Sequence, residues 1–364
     1  MTGTGTPLTA VITAEIETGG PMSVARYMGL ALGHPAHGYY MTGEPFGARG
    51  DFVTAPEISQ MFGELIGLWC ADTWSKMAID GPVMLAELGP GRGTLMADAL
   101  RAARASPAFL QAADIHLVET SPALRRRQEK TLATWRKPIH WHDRFEDLPH
   151  GPLLVIANEL FDALPAHQFE VRDGVWHERC VVLAPEGGLA MALSPDPVPP
   201  GIVPADFAAS PKGSIFEVAP IRERLAGAIA ARLVAHGGAG LIIDYGHGSP
   251  GLGDTLQAVS AHEYADPLAA PGEADITTHV DFSALVRAAT DAGAIALGPI
   301  EMGPFLSALG VQTRAAALKS SAPAATAADI DTALHRLTAA EQMGSLFKVL
   351  VLTGPGGPVP APFA

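Results

Sequence analysis

Three glycines at alternate positions, Gly89, Gly91 and Gly93, follow an apolar run that ends in an acid, so that Val83 to Thr94 reads VMLAELGPGRGT. An apolar run of this kind is a strand feeding a tight turn. Glycine at each alternate position permits positive φ and removes the Cβ atoms that would hold a ligand away from the backbone. Dinucleotides and S-adenosylmethionine are the two cofactor classes that use such a loop. The dinucleotide pattern GxGxxG, started at Gly89, needs Gly or Ala at position 94, and this chain has Thr94 there. Glu87, two residues before the first glycine, places a carboxylate at the end of the strand.

Further acids recur at strand ends. Ile115 to Glu119 (IHLVE) reads as a second strand, 32 residues on from Glu87, which leaves room for one crossover helix over roughly Leu95 to Arg104 and a return strand. Glu119 then lies at the same edge of a parallel sheet as Glu87. There a carboxylate accepts two hydrogen bonds from a vicinal diol, as on a ribose, or serves only as a favourable charge at a helix start. A third strand, Pro138 to Trp141, leads to Asp143, which is either an acceptor for an adenine amino group or a plain loop residue. The fourth, Pro152 to Ala157 (PLLVIA), is an unbroken apolar run of the kind buried in a parallel sheet. It runs into Asn158, Glu159, Leu160, Phe161 and Asp162. Ligands of open α/β sheets bind beyond the carboxyl ends of strands, so this pair of acids flanking an aromatic ring is the natural place for chemistry. The plainer alternative is a helix start capped by Asn158 with acids in its first turn.

The elements that must position these residues form a core with additions. Residues 1–80 read as an N-terminal helical cap region, 81–353 as the core with insertions at about 163–213 and 246–278, and 354–364 (PGGPVPAPFA from Pro355) as a disordered tail. Ile58, Met61, Phe62, Leu65, Ile66, Trp69, Thr73 and Met77 mark one helical stripe. The glycine-rich stretch Gly43 to Pro56 before it offers Asp51 and Phe52, with Glu57 just beyond, as cofactor contacts. Phe169 to Leu183 reads as a hairpin about residues 172–174, and Ala184 to Pro211 as an exposed loop. Helix 220–236, a fifth strand Gly240 to Asp244, a helix capped by Asp281, a sixth strand Ala294 to Ile300 and a last strand Leu346 to Leu352 (LFKVLVL) complete seven strands.

Composition agrees. A chain of 364 residues that is 48% hydrophobic buries a large core. The net charge of −14 argues against a nucleic-acid partner and favours a basic polypeptide. Two cysteines, Cys70 and Cys180, suggest inert buried thiols rather than a disulfide framework or a thiolate metal site. The histidine pairs at 34 and 37 and at 140 and 142 have no convincing third ligand, so no metal is expected. The opening MTGTGTPLTA lacks a basic start and an apolar stretch, and no apolar run is long enough to span a bilayer, so cytoplasmic residence is expected. The apolar N-terminal stripe is core, or the surface of a homodimer.

The residues resemble the MidA-like class I methyltransferases, a family that includes the mitochondrial arginine methyltransferase assisting respiratory complex I assembly. The resemblance runs from about Thr9 to Leu352, through GYYMTGEPFGARGDFVTAPEISQMFGELIG, AELGPGRGTLMADAL, HLVETSP, ANELFDALPAHQF, IDYGH, GDTLQAVSAHEY and DITTHVDF. It implies an α/β fold: a Rossmann-like seven-stranded sheet with the last strand inserted antiparallel, an N-terminal helical region and insertions after strands four and five. The implied S-adenosyl-L-methionine site is Glu87, near the amino-acid end of the cofactor, with Gly89, Gly91, Gly93, Glu119 and Asp143; Asn158 holds either cofactor or turn. The implied methyl acceptor is a protein arginine, with symmetric dimethylation of a complex I subunit as the best-known case.

Methyl transfer is an in-line displacement at carbon, in which the protein aligns the nucleophile with the sulfonium and excludes water. If the acceptor is a guanidinium, two cations meet and carboxylates must offset their repulsion. Glu159 and Asp162 are the candidate catalytic pair, since a bidentate carboxylate holds two guanidine nitrogens and orients the third. Glu217, Asp244, Tyr245 and His247 are secondary candidates. Two other readings stand beside this one: a nicotinamide-dependent oxidoreductase, weakened by Thr94, and a non-catalytic assembly chaperone that has kept the fold.

Overall fold

The computed structural model describes residues 5–42, 54–77, 79, 81–260 and 263–364, and the chain divides into two compact units. One comprises residues 53–161, 224–249 and 280–364, the other 1–52, 162–223 and 250–279.

The first of these is a sheet covered on both faces. A short helix α1 (Ala55–Ile58) precedes the long α2 (Gln60–Lys76). Then come β1 (Val83–Leu88), α3 (Thr94–Ala102), β2 (Ala113–Val118), α4 (Pro122–Thr131), β3 (Ile139–His142) and β4 (Leu153–Asn158). β5 (Gly238–His247) follows the other unit's segment 162–223, and β6 (Ile295–Glu301) and β7 (Phe347–Thr353) follow its segment 250–279. The strand order is β6-β7-β5-β4-β1-β2-β3, with the two-residue strand Val280–Asp281 paired to the end of β5. β3, β2, β1, β4 and β5 run parallel, and β7 is inserted antiparallel between β5 and β6. This is the seven-stranded class I methyltransferase arrangement that the strand spacing and the resemblance led us to expect. β3, β4, β6 and β7 each lie one residue further along than the apolar runs read from the sequence, and β2 begins two residues earlier.

Alternation along the strands explains the core. Val83, Leu85, Ile115, Leu117, Leu154, Ile156, Leu241 and Ile243 face one cluster with Met61, Phe62, Leu65 and Trp69 of α2. The helical stripe read from the sequence is this face. α2 approaches α3 so closely that a Cβ on Gly67 would lie 2.3 Å from the Ala99 carbonyl oxygen, which only glycine tolerates. So α2, placed by sequence in the N-terminal cap region, packs with the sheet.

The other unit joins the N-terminal helices to both insertions. Helices Pro7–Gly19 and Val24–Gly33 share a cluster with Val181, Ala258 and Ile276. Strands His167–Arg172 and Val175–Leu183 form the expected hairpin about Asp173 and Gly174, both at positive φ (54° and 80°), as a two-residue primed turn requires. A correction is needed beyond it. The stretch expected as an exposed loop contains strand Leu189–Pro197, paired to Val175–Leu183, with Leu189 and Met191 packed on the core. Gln257–Ser260 pairs with Glu263–Ala265 and with Asp275–Thr277 in a small antiparallel sheet.

The tail needs a second correction. It is ordered: Pro358 and Pro360 are buried, Phe363 packs on the sheet's core, and the Trp69 indole N–H donates to the Ala361 carbonyl at 2.8 Å. Proline and glycine content reads as disorder only until such a partner is found. Trp69→Phe keeps an aromatic ring but removes that hydrogen bond and part of the buried volume. It is expected to lower stability by more than about 1 kcal/mol and to speed trimming of the last residues by carboxypeptidase. An unchanged trimming rate would show that the tail is held without Trp69.

Candidate cofactor site

All three loop glycines adopt positive φ, 63° at Gly89, 51° at Gly91 and 80° at Gly93. The loop is closed by the Gly89 amide on the Val118 carbonyl (3.0 Å) and the Gly93 amide on the Pro90 carbonyl (2.7 Å). The reason for glycine differs in part from the one read in the sequence. A Cβ at Gly89 would meet the Leu160 side chain at 2.9 Å, whereas one at Gly93 would make only ordinary contact with Gln128 at 3.5 Å, so backbone conformation sets both positions and packing adds to it at Gly89.

Glu87 is 3% exposed, with Oε2 buried and without a hydrogen-bond partner. Burial pushes its carboxyl up to about 8, against the opposing pull of the Met96 backbone amide. Glu119, on the next residue after β2, is also buried, and burial raises its carboxyl above the usual range. It is tightly oriented: Oε1 accepts from the Ser121 amide at 2.8 Å and Oε2 from the Gln128 side-chain amide at 3.1 Å. Gln128 went unnoticed in the sequence. It is fully buried, and besides Glu119 it donates to the Gly91 carbonyl (2.9 Å) and accepts from the Trp141 indole (2.9 Å), linking glycine loop, β2 end and β3. Its only sequence signal is an amide on the inner side of an otherwise Arg-rich helix. Asp143 lies at the end of β3, but its side chain is 73% exposed and pairs with Arg125 at 2.7 Å.

Asn158 closes β4, and its Nδ2 donates to Glu159 Oε1 at 2.9 Å. Its Oδ1 is buried with no hydrogen-bond partner. Glu159 has φ 49°, unusual for a residue with a Cβ, and its Oε1 also accepts the Ala55 amide of α1 at 2.8 Å. α1 reaches the glycine loop as well: Glu57 accepts the Thr94 hydroxyl at 2.5 Å and pairs with Arg92 at 3.4 Å. Of the contacts suggested before α2, Asp51 and Phe52 lie outside the described residues. Asp244, fully buried, braces the turn after β4 by accepting the Phe161 amide at 2.9 Å. Tyr245 packs against Phe347, and His247 Nδ1 lies 2.6 Å from the Ser249 carbonyl.

In the other unit, Asp162 is buried and accepts the following Ala163 amide at 2.8 Å. Its carbonyl receives Arg222 at 2.9 Å and the Thr278 amide at 3.1 Å. Tyr40 donates to buried Asp275 at 2.7 Å, and burial together with the Asp275 and Asp162 charges holds its phenol well above the ordinary range. Glu217 is a structural tie, accepting Gln168 at 2.7 Å and the Thr255 amide at 3.0 Å. Both cysteines are buried, and burial pushes their thiol pKa values up, that of Cys180 to about 11. Among the described residues no group of three His, Cys, Asp or Glu is placed to hold a metal, and no helix is long and apolar enough to cross a membrane.

Residues 65–300 match the family model described as "Putative S-adenosyl-L-methionine-dependent methyltransferase". The chain belongs to this methyltransferase family. Among curated proteins, it is 38% identical over 368 residues to the Drosophila melanogaster homolog of the mitochondrial protein arginine methyltransferase NDUFAF7, covering 93% of this chain and 83% of that one. The Danio rerio protein of that name is 37% identical, at 93% and 84% coverage. Among solved structures, a Burkholderia thailandensis protein bound to S-adenosyl-homocysteine superposes with a TM-score of 0.83 at 29% identity, covering 95% of this chain and 91% of that one.

S-adenosyl-L-methionine is accordingly the cofactor of this methyltransferase, and the residues fit it. A loop of positive-φ glycines admits a close-lying ligand. Glu119 is fixed at the β2 end, and the buried Asn158 Oδ1 lacks a donor. When bound, the group supplies an activated methyl on sulfur.

The buried Glu87 carries a pH signature. With a folded value near 8 and an unfolded value near 4.3, the native state holds a proton that the unfolded state has lost. Stability therefore falls as pH rises across that window, by on the order of 1.4 kcal/mol per unit, and levels off above it. Glu87→Gln should raise the melting temperature at pH 7 and 8 and flatten its dependence between pH 5 and 8 in calorimetric scans. An unaltered pH dependence would mean that Glu87 is ionised in the native protein.

Proposed function

We propose that this methyltransferase acts on an arginine side chain of a protein. What supports this most is its 38% identity, across 93% of the chain, to a protein named as an arginine methyltransferase. The acids after β4 agree with it. A guanidinium brought to a sulfonium in a site of low dielectric is repelled by several kcal/mol unless carboxylate charge is nearby. Glu159 and Asp162 are proposed to supply that charge. A carboxylate gripping two guanidine nitrogens leaves the third to attack the methyl carbon: the N–C bond forms as the C–S bond breaks with its electron pair on sulfur, and the attacking nitrogen's proton passes to the other carboxylate of the pair. Glu87, Gly89, Gly91, Gly93, Glu119 and Asn158 are proposed to hold the cofactor, with Asp143 at its adenine end. The net charge of −14 suits a basic polypeptide acceptor. A respiratory complex I subunit, dimethylated symmetrically, is the first acceptor to try, and cytoplasmic residence is part of the same proposal.

The test uses methyl-labelled cofactor, basic peptides and mass spectrometry of modified arginines. Glu159→Gln and Asp162→Asn should each lower turnover on the order of 10²-fold or more, with unchanged circular dichroism, and Asp162→Asn should leave calorimetric binding of S-adenosylhomocysteine near-unchanged. Full activity in both variants would remove the acid pair from the mechanism. Labelling of lysine rather than arginine would overturn the acceptor.

A further inference from the structure

Resting on the cofactor assignment, we propose that Arg92 and Glu57 recognise the amino-acid end of S-adenosyl-L-methionine. Arg92 takes the α-carboxylate, and Glu57 with the Asn158 carboxamide oxygen takes the α-ammonium. The strand order supplies the direction. Glu119, the diol acceptor, follows β2, and β1 with its glycine loop stands between β2 and β4. A molecule whose ribose lies at β2 and which runs across the loop brings its amino-acid end to the β4 side.

α1 is tethered on that side. Its Ala55 amide is held by Glu159, one residue beyond β4, and its Glu57 carboxylate by Thr94 and Arg92 of the glycine loop. Glu57 and Arg92 therefore stand where the zwitterion arrives. Their side chains are 17% and 27% exposed, so each charge is partly desolvated and still reachable. One cation and one anion side by side match a group that itself carries one of each. At 3.4 Å their own pairing is longer than the 2.7–2.9 Å of a good charge-assisted hydrogen bond. Asn158 adds an independent observation. Its Nδ2 is fixed on Glu159, which sets the orientation of the amide, and the remaining Oδ1 is a buried acceptor without a donor. Such an atom is costly unless a donor-bearing ligand meets it. An α-ammonium carries three donors.

A purely structural role, as a strap holding α1 on the loop, makes a different prediction. S-adenosylhomocysteine carries the amino-acid end, whereas 5′-methylthioadenosine keeps the adenosine and lacks that end. Calorimetric titration of both into wild type, Arg92→Gln and Glu57→Gln separates the two roles. The expected result is S-adenosylhomocysteine binding weakened on the order of 10- to 100-fold in each variant, with 5′-methylthioadenosine affinity and the melting temperature unchanged. Equal weakening of both ligands, or no weakening of either, would overturn the proposal and leave the methyltransferase assignment standing. Wild type that bound neither ligand would overturn the cofactor assignment and this inference with it.

Discussion

Parallel pairing of β4, β1 and β2 places Ala157 beside Leu88 and Leu88 beside Val118, so three strands end at one level. Parallel strands all point their free carbonyl ends the same way, and the residue after each strand has nowhere to go but the same edge. Glu119 and Asn158 arrive there for this reason, as does the glycine loop, without any contact between their parent helices being required. The loop's closing hydrogen bond, Gly89 amide to Val118 carbonyl, is itself an extension of the β1–β2 ladder. Were the register shifted by one residue, every side chain would pass to the opposite face and the packing of Leu85, Leu117 and Ile156 in the α2 cluster would be lost with it. The same burial that stabilises the sheet therefore fixes the site.

That edge is also where the protein tolerates electrostatic cost. Glu87 and Glu119 are both taken out of water, and in both the dominant effect of burial is to favour the protonated carboxyl. They are offset unequally. Glu119 receives two backbone amides, from Ser121 and Thr120, and the Gln128 amide, with Arg125 nearby, whereas for Glu87 only the Met96 amide opposes burial. The difference follows from position. A residue just past a strand meets the first turn of the next helix with its free N–H groups, while Glu87, still inside the strand, faces the α2 side of the sheet beside Cys70. Glu119 is thus the better prepared of the two to present charge to a ligand diol.

Much of this was readable beforehand because it is local. Alternating glycines, an acid at a strand end and an unbroken apolar run each report on their own few residues, and the strand count and the loop followed from them, while the antiparallel last strand came from the family resemblance. What escaped was set by partners far along the chain. Gln128 matters because Gly91, Glu119 and Trp141 converge on it from three separate segments. Thr94, noticed only as a departure from a dinucleotide pattern, is the hydroxyl that ties Glu57 to the loop. The strand at Leu189–Pro197 follows a glycine pair and ends in a run with two prolines, and it exists through its ladder to Val175–Leu183. The tail owes its order to Trp69, nearly three hundred residues away. Composition cannot anticipate such pairings, since the same residues without partners would be loop.

The backbone at Glu159 makes a separate argument. A non-glycine residue at φ 49° stores on the order of 1 kcal/mol or more, and glycine at this position would relieve it. The conformation persists because the Glu159 amide bonds the Ile243 carbonyl at 2.9 Å, while its Oε1 receives Ala55 and Asn158. Those contacts stabilise the strained turn, two of them through one side-chain oxygen. A position whose geometry favours glycine and which nevertheless carries an acid is one where the acid itself matters. Part of that use is visible already: through Ala55 the carboxylate anchors α1, and through α1 it places Glu57 against the glycine loop. Strain at one residue is thus coupled to the arrangement of charges on the loop, and neither can relax without moving the other.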